Sequence, residues 1–140
     1  MRAPAHAASG AAAPRRAPGV AEARVVALLT GANRPISAYD IVHRCTAEGH
    51  PIAPTQVYRV LARLMAQGRV FRVETLAAYM LWRAPFDMCL ICDGCHAIQL
   101  LPCPELPAQL AAQAQRLGFR PARLIIESHG RCAECATTLQ

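Results

Sequence analysis

Four cysteines stand in two C-x-x-C pairs, a spacing typical of a metal site. The first pair is Cys92 and Cys95 and the second is Cys132 and Cys135, with 36 residues between the pairs. Four thiolates bind zinc tetrahedrally and leave no open coordination position, so such a centre stabilises a fold and does not catalyse a reaction. Buried cysteines without a metal are the alternative, but two such pairs rarely both arise for packing alone. We therefore predict one structural zinc ion per chain.

The stretch Cys92-Asp93-Gly94-Cys95-His96 also matches C-x-x-C-H, the attachment pattern of c-type haem. Haem is attached to such proteins outside the cytoplasm, which requires export. The opening residues lack the apolar segment of a secretory signal, and no apolar run is long enough to span a membrane. We therefore predict a cytoplasmic protein with reduced cysteines, in which the haem pattern is accidental.

The elements around the cysteines must bring the two pairs together. Short strands are predicted over residues 88–91 and 96–101, and Gly94 is expected to permit the tight turn between the first two sulfurs. A helix is predicted over residues 104–117 and a further strand over residues 122–128. This insert explains why the pairs are farther apart than in a simple zinc ribbon. A unit of this size has a small core, so zinc would contribute to its folding.

The first half of the chain has a different pattern. Three helices and a two-stranded hairpin are predicted over residues 20–30, 37–48, 54–67, 69–73 and 77–81. Ser37 is followed three residues later by Asp40, a shorter relative of the acid in a capping box. Pro54 suits the first position of the third helix, and Gly68 its C-terminal end. The predicted order of elements is that of a winged helix.

A winged helix places its third helix in the major groove of DNA and its hairpin against the backbone. A small helical domain with an exposed polar face is the alternative. The charge distribution favours DNA, because residues 1–85 contain eleven arginines and four acidic residues, a net charge of +7. Residues 86–140 contain four arginines and five acidic residues, a net charge of −1. The basic surface therefore belongs to the predicted winged helix.

The third predicted helix has one apolar and one polar face. Its apolar positions are Val57, Val60, Leu61 and Leu64. An arginine on the polar face can bond guanine through two hydrogen bonds, a tyrosine can pack on thymine methyl groups, and polar residues at the helix start can reach phosphates or base edges. The predicted DNA contacts are Thr55, Gln56, Tyr58, Arg59 and Arg63. Tyr58 as a half-buried core residue and Arg63 as a solvated charge are the alternatives.

Several of these motifs resemble a known family. Ser37-Ala38-Tyr39-Asp40, Pro54-Thr55 and Val57-Tyr58-Arg59 are similar to the DNA-binding half of ferric uptake regulator (Fur) family repressors, particularly the zinc uptake regulators. "LICDGCHAI" and "IIESHGRCAEC" resemble the second half of zinc uptake regulators. The resemblance implies that Tyr58 and Arg59 face the major groove. It also implies a metal-responsive repressor that binds a pseudo-palindromic operator as a homodimer.

The predicted elements and the resemblance together give a domain organisation and a fold class. A basic tail at residues 1–18 would precede a winged-helix DNA-binding domain at residues 19–83. A small α/β dimerisation domain with the four-cysteine zinc site would occupy residues 84–140. The expected fold is therefore a mixed α/β (α+β) arrangement of two domains, without a membrane segment.

The chain departs from this family at its second, regulatory metal site. Relatives hold an exchangeable metal with histidine, cysteine and acidic residues, but the matching positions here are Phe71, Trp82 and Leu100, and no histidine lies between His50 and His96. The regulatory site is therefore absent or rebuilt. Candidates for a rebuilt metal or redox site are Asp87, Cys89, His96 and Cys103.

Each of these candidates has a simpler interpretation. Cys89 can be a buried thiol on a strand, and Asp87 a solvated charge in a linker. Cys103-Pro104 also resembles the Cys-Pro pair of haem-responsive regulators, but a single Cys-Pro pair is common by chance. The alternative functions are a redox- or haem-responsive regulator on the same scaffold, and a zinc-ribbon interaction adaptor without sequence-specific DNA binding. An enzyme is not predicted, because no nucleophile and base are paired in the sequence.

Overall fold

The computed structural model describes residues 19–137, so the predicted basic tail at residues 1–18 lies outside the described part. The chain divides into two compact units, with the boundary between Arg83 and Ala84. Within residues 19–137, no helix is both long enough and apolar enough to cross a membrane.

The first unit contains three helices and a small antiparallel sheet. Its elements are α1 (Val20–Gly31), β1 (Ile36–Ser37), α2 (Ala38–Ala47), α3 (Pro54–Ala66), β2 (Val70–Val73) and β3 (Ala78–Leu81). The strand order is β1-β3-β2, and Phe71 of β2 lies opposite Met80 of β3. A short 3-10 turn, Glu74–Leu76, joins the two strands of the hairpin. The predicted winged helix is confirmed, and β1 is an addition, because two residues are too few to form a recognisable alternating pattern.

Local chemistry sets the ends of these helices. The Ser37 hydroxyl accepts a hydrogen bond from the backbone N–H of Asp40 at 3.1 Å, so Ser37 caps α2 as the sequence predicts. Pro54 is the first residue of α3, where its missing N–H leaves no hydrogen bond unmade. Gly68 follows α3 with a φ of +70°, a left-handed conformation that side chains with a Cβ rarely adopt.

The core of the first unit is built around α3. All four predicted apolar positions of this helix are buried: Val57, Val60, Leu61 and Leu64. They form one cluster with buried residues of α1 and α2, namely Val25, Leu29, Ile41 and Cys45. Burying an aliphatic side chain of this size stabilises the fold by about 1.5–3 kcal/mol. Because this apolar cluster fixes one face of α3 in the core, the polar face of the helix lies at the surface.

The second unit is a three-stranded sheet with two helices. Its elements are β4 (Met88–Cys92), β5 (Ile98–Leu101), α4 (Glu105–Arg116), β6 (Glu127–Gly130) and α5 (Ala133–Thr137). The strand order is β5-β4-β6, with β4 antiparallel to β5 and parallel to β6. This mixture of helices and sheet agrees with the predicted fold class.

The strand predicted over residues 122–128 is wrong in position. The structure begins β6 at Glu127 and continues it to Gly130, so most of the apolar run that suggested a strand precedes the sheet. Pairing starts where the backbone N–H of Cys89 donates to the carbonyl of Ile126 at 3.0 Å. The parallel pairing with β4 sets the start of β6, and no local pattern in the sequence predicts this pairing.

The core of the second unit is small. Among residues 84–137, only Cys89, Ile91 and Cys92 are buried, and α4 and α5 contain no buried residue. Three buried side chains are few for a folded unit of this length. This unit therefore depends on something besides its own apolar core.

Candidate metal centre and nucleic-acid interface

The four cysteines converge at one end of the second sheet. Cys92 ends β4 and lies opposite Gly130 of the parallel strand β6, so the two C-x-x-C segments leave the sheet side by side. The four sulfur atoms all lie within 4.8 Å of one another. The sulfurs of Cys95 and Cys132 are 3.8 Å apart. Zinc–sulfur bonds of about 2.3 Å place tetrahedral sulfurs about 3.8 Å apart, so the cluster fits a structural zinc site.

The turn between Cys92 and Cys95 differs from the sequence-based expectation. The residue with left-handed backbone is His96, with a φ of +62°, and its N–H donates to the carbonyl of Cys92 at 2.9 Å. Gly94 has no positive φ, but a Cβ at this position would lie 2.9 Å from the sulfur of Cys135. Glycine is therefore required because the second cysteine pair approaches closely, and not because of the turn itself.

Hydrogen bonds among the four cysteines shift the pKa values of two of the thiols in opposite directions. The backbone N–H of Cys132 donates to the Cys92 sulfur at 3.3 Å, and with the N–H groups of Cys95 and Gly94 it lowers the pKa of Cys92 to about 6. Hydrogen bonds from Cys135 to the other three thiols raise the pKa of Cys135 to about 12. Without a cation, one thiolate therefore forms easily and further negative charge is opposed. A divalent metal ion removes this opposition by binding all four as thiolates.

A hydrogen bond also joins the two cysteine segments outside the cluster. Nδ1 of His129 lies 2.7 Å from Oδ1 of Asp93, linking β6 to the turn after β4. No local sequence pattern indicates this pair, because the two residues are 36 positions apart. The contact supports the side-by-side arrangement of the cysteine pairs.

The four candidates for a second metal or redox site do not form one cluster. In the part of the chain that the structure describes, the four cysteines are the only group of three or more potential metal ligands. Asp87 accepts a hydrogen bond from the backbone N–H of Cys103 at 2.7 Å, which brings this pair together. The Cys103 thiol donates to Glu105 at 3.5 Å, and His96 is exposed.

Cys89 is buried in β4, as the simpler interpretation requires. Burial, with a smaller contribution from the nearby carboxylate of Glu127, raises the pKa of Cys89 to about 11. Such a thiol is protonated at neutral pH, whereas metal binding and thiol chemistry use the thiolate. Cys89 therefore behaves as an apolar core residue.

Two positions that would carry regulatory metal ligands in the resembled family contain an aromatic pair instead. The rings of Phe71 and Trp82 meet edge to face, with centroids 5.9 Å apart and an interplanar angle of 84°. Such pairs stabilise a fold by about 0.5–1.5 kcal/mol beyond their area of burial. Neither ring can bind a metal ion, so a regulatory metal of the implied kind does not fit these residues.

The polar face of α3 is exposed to solvent. Thr55, Gln56, Tyr58 and Arg59 are all exposed. Tyr58 has 57% of its surface exposed, which excludes its interpretation as a half-buried core residue. Arg63 is different, because its Nη1 lies 3.1 Å from a carboxylate oxygen of Glu22 in α1. The sequence did not reveal this ion pair, which spans 41 positions.

Tyr39 is an exposed aromatic residue that our list of predicted contacts omits. It lies in the first turn of α2, has 76% of its surface exposed, and stacks on His43 with ring centroids 6.2 Å apart. The buried residues of α2 are Ala38, Ile41 and Cys45, a helical stripe that excludes Tyr39. The periodicity of α2 was therefore sufficient to identify Tyr39 as a surface aromatic.

Comparisons with known proteins agree with this architecture. The zinc uptake regulation protein of Escherichia coli (strain K12) is 33% identical over 118 residues, which cover 80% of this chain and 67% of that protein. The corresponding protein of Shigella flexneri matches to the same extent. No protein-family model matches the chain.

Solved structures of zinc and ferric uptake regulators are also similar to this chain. The crystal structure of holo XcZur matches with a TM-score of 0.74 at 35% identity and covers 85% of this chain and 86% of its own. A zinc uptake regulator complexed with zinc and DNA matches with a TM-score of 0.75 at 29% identity, covering 86% and 83%. The ferric uptake regulator from Francisella tularensis with iron shares the fold, with a TM-score of 0.63 at 19% identity, covering 86% and 95%.

Proposed function

The chain belongs to the ferric uptake regulator family, in its zinc uptake regulator branch, and we propose that it is a metal-responsive transcriptional repressor that binds an operator in duplex DNA. Residues 19–83 would form the DNA-binding domain and residues 84–140 the dimerisation domain. The protein would act in the cytoplasm, where its cysteines stay reduced and available to zinc. A closed four-thiolate centre has no position for a substrate, so we propose no catalytic activity.

The main support for this proposal is the exposed polar face of α3. Arg59 makes no ion pair or hydrogen bond with any residue in the described part of the chain, so its guanidinium is available to a base edge. Tyr58 can pack on a thymine methyl group beside it, and Thr55 and Gln56 at the start of the helix can reach phosphates or bases. We omit Arg63 from this set because Glu22 already binds it. Tyr39 adds a second exposed aromatic on the preceding helix.

Selection from a random duplex library tests this function directly. The purified protein with bound zinc is mixed with the library, and the retained duplexes are sequenced. We expect enrichment of a pseudo-palindromic site, because a two-fold dimer reads the same half-site twice. Retention of all sequences alike, or of none, would contradict a repressor that recognises an operator.

The exposed apolar residues of the second unit support the proposed homodimer. Leu110, Leu117, Phe119 and Ile125 are all exposed, although such residues are usually buried. A second copy of the chain would cover them, and it would also supplement the small core of this unit. Sedimentation should give a dimer, and Leu110→Glu should shift the population toward monomer by placing a charge in the interface.

The proposed metal response does not use the regulatory site that the family implies. Phe71 and Trp82 fill two of its positions with aromatic rings, and the described residues form only the four-cysteine cluster. We therefore propose that the chain binds one zinc ion, held by Cys92, Cys95, Cys132 and Cys135, that its metal response is limited to the occupancy of this site, and that operator binding responds weakly to metal added beyond it.

The alternative functions are less consistent with the same residues. A haem- or redox-responsive regulator would use Cys89 or Cys103, but the Cys89 thiol is buried with a raised pKa, and that of Cys103 is hydrogen-bonded to Glu105. An absorption titration with haem, repeated on Cys103→Ala, tests this alternative, and a band that depends on Cys103 would support it. A zinc-ribbon adaptor that does not recognise a DNA sequence would have no use for the exposed polar face of α3.

A further inference from the structure

Glu22 is the one buried charged side chain that the structure describes between residues 19 and 137, with 6% of its surface exposed. It lies in the first turn of α1 and uses both carboxylate oxygens. Oε2 is 3.1 Å from Nη1 of Arg63, and Oε1 is 3.1 Å from Nη1 of Arg69. A single carboxylate in α1 therefore binds two arginines from another part of the first unit.

The two arginines lie at the C-terminal end of α3, the helix that we propose reads the operator. Arg63 lies in the last turn of α3, and Arg69 directly precedes β2, the first strand of the hairpin. Both are partly exposed, with 54% and 43% of their side-chain surfaces accessible, so their guanidinium groups lie at the surface of the DNA-binding unit. Their positive charge is thus close to where a bound duplex would run.

The buried carboxylate of Glu22 is stabilised by keeping both arginines as partners. A buried carboxylate without a counter-charge is strongly destabilising, whereas two charge-assisted hydrogen bonds satisfy both of its oxygens. Arg69 also donates to the side-chain oxygen of Gln67 at 3.3 Å, which fixes its guanidinium further. An arginine that turned toward a DNA phosphate would leave the carboxylate of Glu22 buried and unpaired.

We propose that Glu22 sets the sequence-independent part of the DNA affinity by withholding Arg63 and Arg69 from the DNA phosphates. This inference rests on the proposed operator binding by α3. Phosphate contacts strengthen binding to every sequence alike, whereas base contacts distinguish sequences. By binding two arginines beside the exposed face of α3, Glu22 lowers the affinity for operator and random DNA alike and leaves discrimination to residues such as Arg59.

The test is Glu22→Gln in the full-length, zinc-loaded protein, which removes the charge and retains the shape of the side chain. Affinities for the selected operator and for a random duplex are measured by fluorescence anisotropy across a salt series. Released arginines should bind phosphates, which steepens the slope of log K against log salt by up to about 0.9 for each arginine. We expect tighter binding to the operator and to random DNA by a similar factor, so that the ratio of the two affinities changes little.

A merely structural role for Glu22 gives a different result. In that case both affinities fall and the salt slope is unchanged, and this outcome overturns the inference. Absence of any DNA binding by the unsubstituted protein would refute the proposed function, and this inference with it. DNA binding with the same slope in both proteins refutes only the inference.

A second variant, Arg63→Gln, remains informative if Glu22→Gln does not fold. It leaves Glu22 paired with Arg69, and it removes an arginine that should not contact phosphate. We expect an unchanged salt slope and unchanged random-DNA affinity. A slope shallower by about 0.9 would mean that Arg63 binds a phosphate after all, and would overturn the inference.

Discussion

Replacing Cys132 by serine should remove the zinc ion and unfold the second unit. Cys132 contributes one sulfur to the cluster, and its backbone N–H stabilises the thiolate of Cys92. A structural zinc ion contributes about 10–16 kcal/mol to the folding of a small domain at neutral pH. The three buried residues of this unit contribute much less, because even a fully buried isoleucine gives only about 1.5–3 kcal/mol. Zinc is thus the larger stabilising contribution.

The assay combines metal analysis with peptide-resolved hydrogen exchange. The unsubstituted protein should contain one zinc ion per chain. In Cys132→Ser the zinc should be lost, and residues 84–137 should exchange rapidly, while residues 19–83 keep their protection. The first unit should persist because its core lies in its own three helices and requires no metal. Cys103→Ser is the matched control, since it changes a partly exposed cysteine outside the cluster.

Three results would refute this reasoning. A Cys132→Ser protein that is protected throughout and contains no zinc would mean that the second unit folds by its own core. A variant that keeps a full zinc ion would mean that Cys132 is not a ligand. Loss of zinc in the Cys103→Ser control would place the metal elsewhere than in the four-cysteine cluster.

Four further predictions concern α3, the metal response and the buried thiol of Cys89. Arg59→Ala should weaken operator binding by about 1–3 kcal/mol and relax specificity at one base pair, measured on operators substituted pair by pair; an equal loss on all sequences would make Arg59 a phosphate contact. Zinc or iron added to the protein with one zinc should change operator affinity by far less than the roughly 5- to 150-fold of a typical allosteric effector, and a sharp gain would reveal a second site. Cys89 should react with an alkylating agent much more slowly than Cys103 at neutral pH, because burial raises the pKa of Cys89 to about 11. The neutral Cys89 thiol stabilises the fold below the ordinary thiol pKa, and this contribution should be lost as the pH rises toward 11, as thermal unfolding across that range would measure.

Much of the first unit could be predicted because its signals are local. Ser37, Pro54 and Gly68 set the ends of helices through contacts within a few residues, and the apolar stripe of α3 follows from helical periodicity alone. The buried stripe of α2 also predicts the exposed position of Tyr39. The strand at Glu127–Gly130 was misplaced because a parallel pairing leaves no pattern in the strand itself.

The amino-acid sequence alone specifies the type of metal site, since two C-x-x-C pairs provide four sulfur ligands whatever the path between them. It also determined the face of α3 that is left for DNA, because the apolar face must be buried. Only the tertiary structure decided why Gly94 must be glycine, that Glu22 binds Arg63 and Arg69, and that Asp87, Cys89, His96 and Cys103 form no single cluster. These outcomes depend on contacts between residues far apart in the chain, whose distances are set by packing and strand register and not by spacing along the sequence.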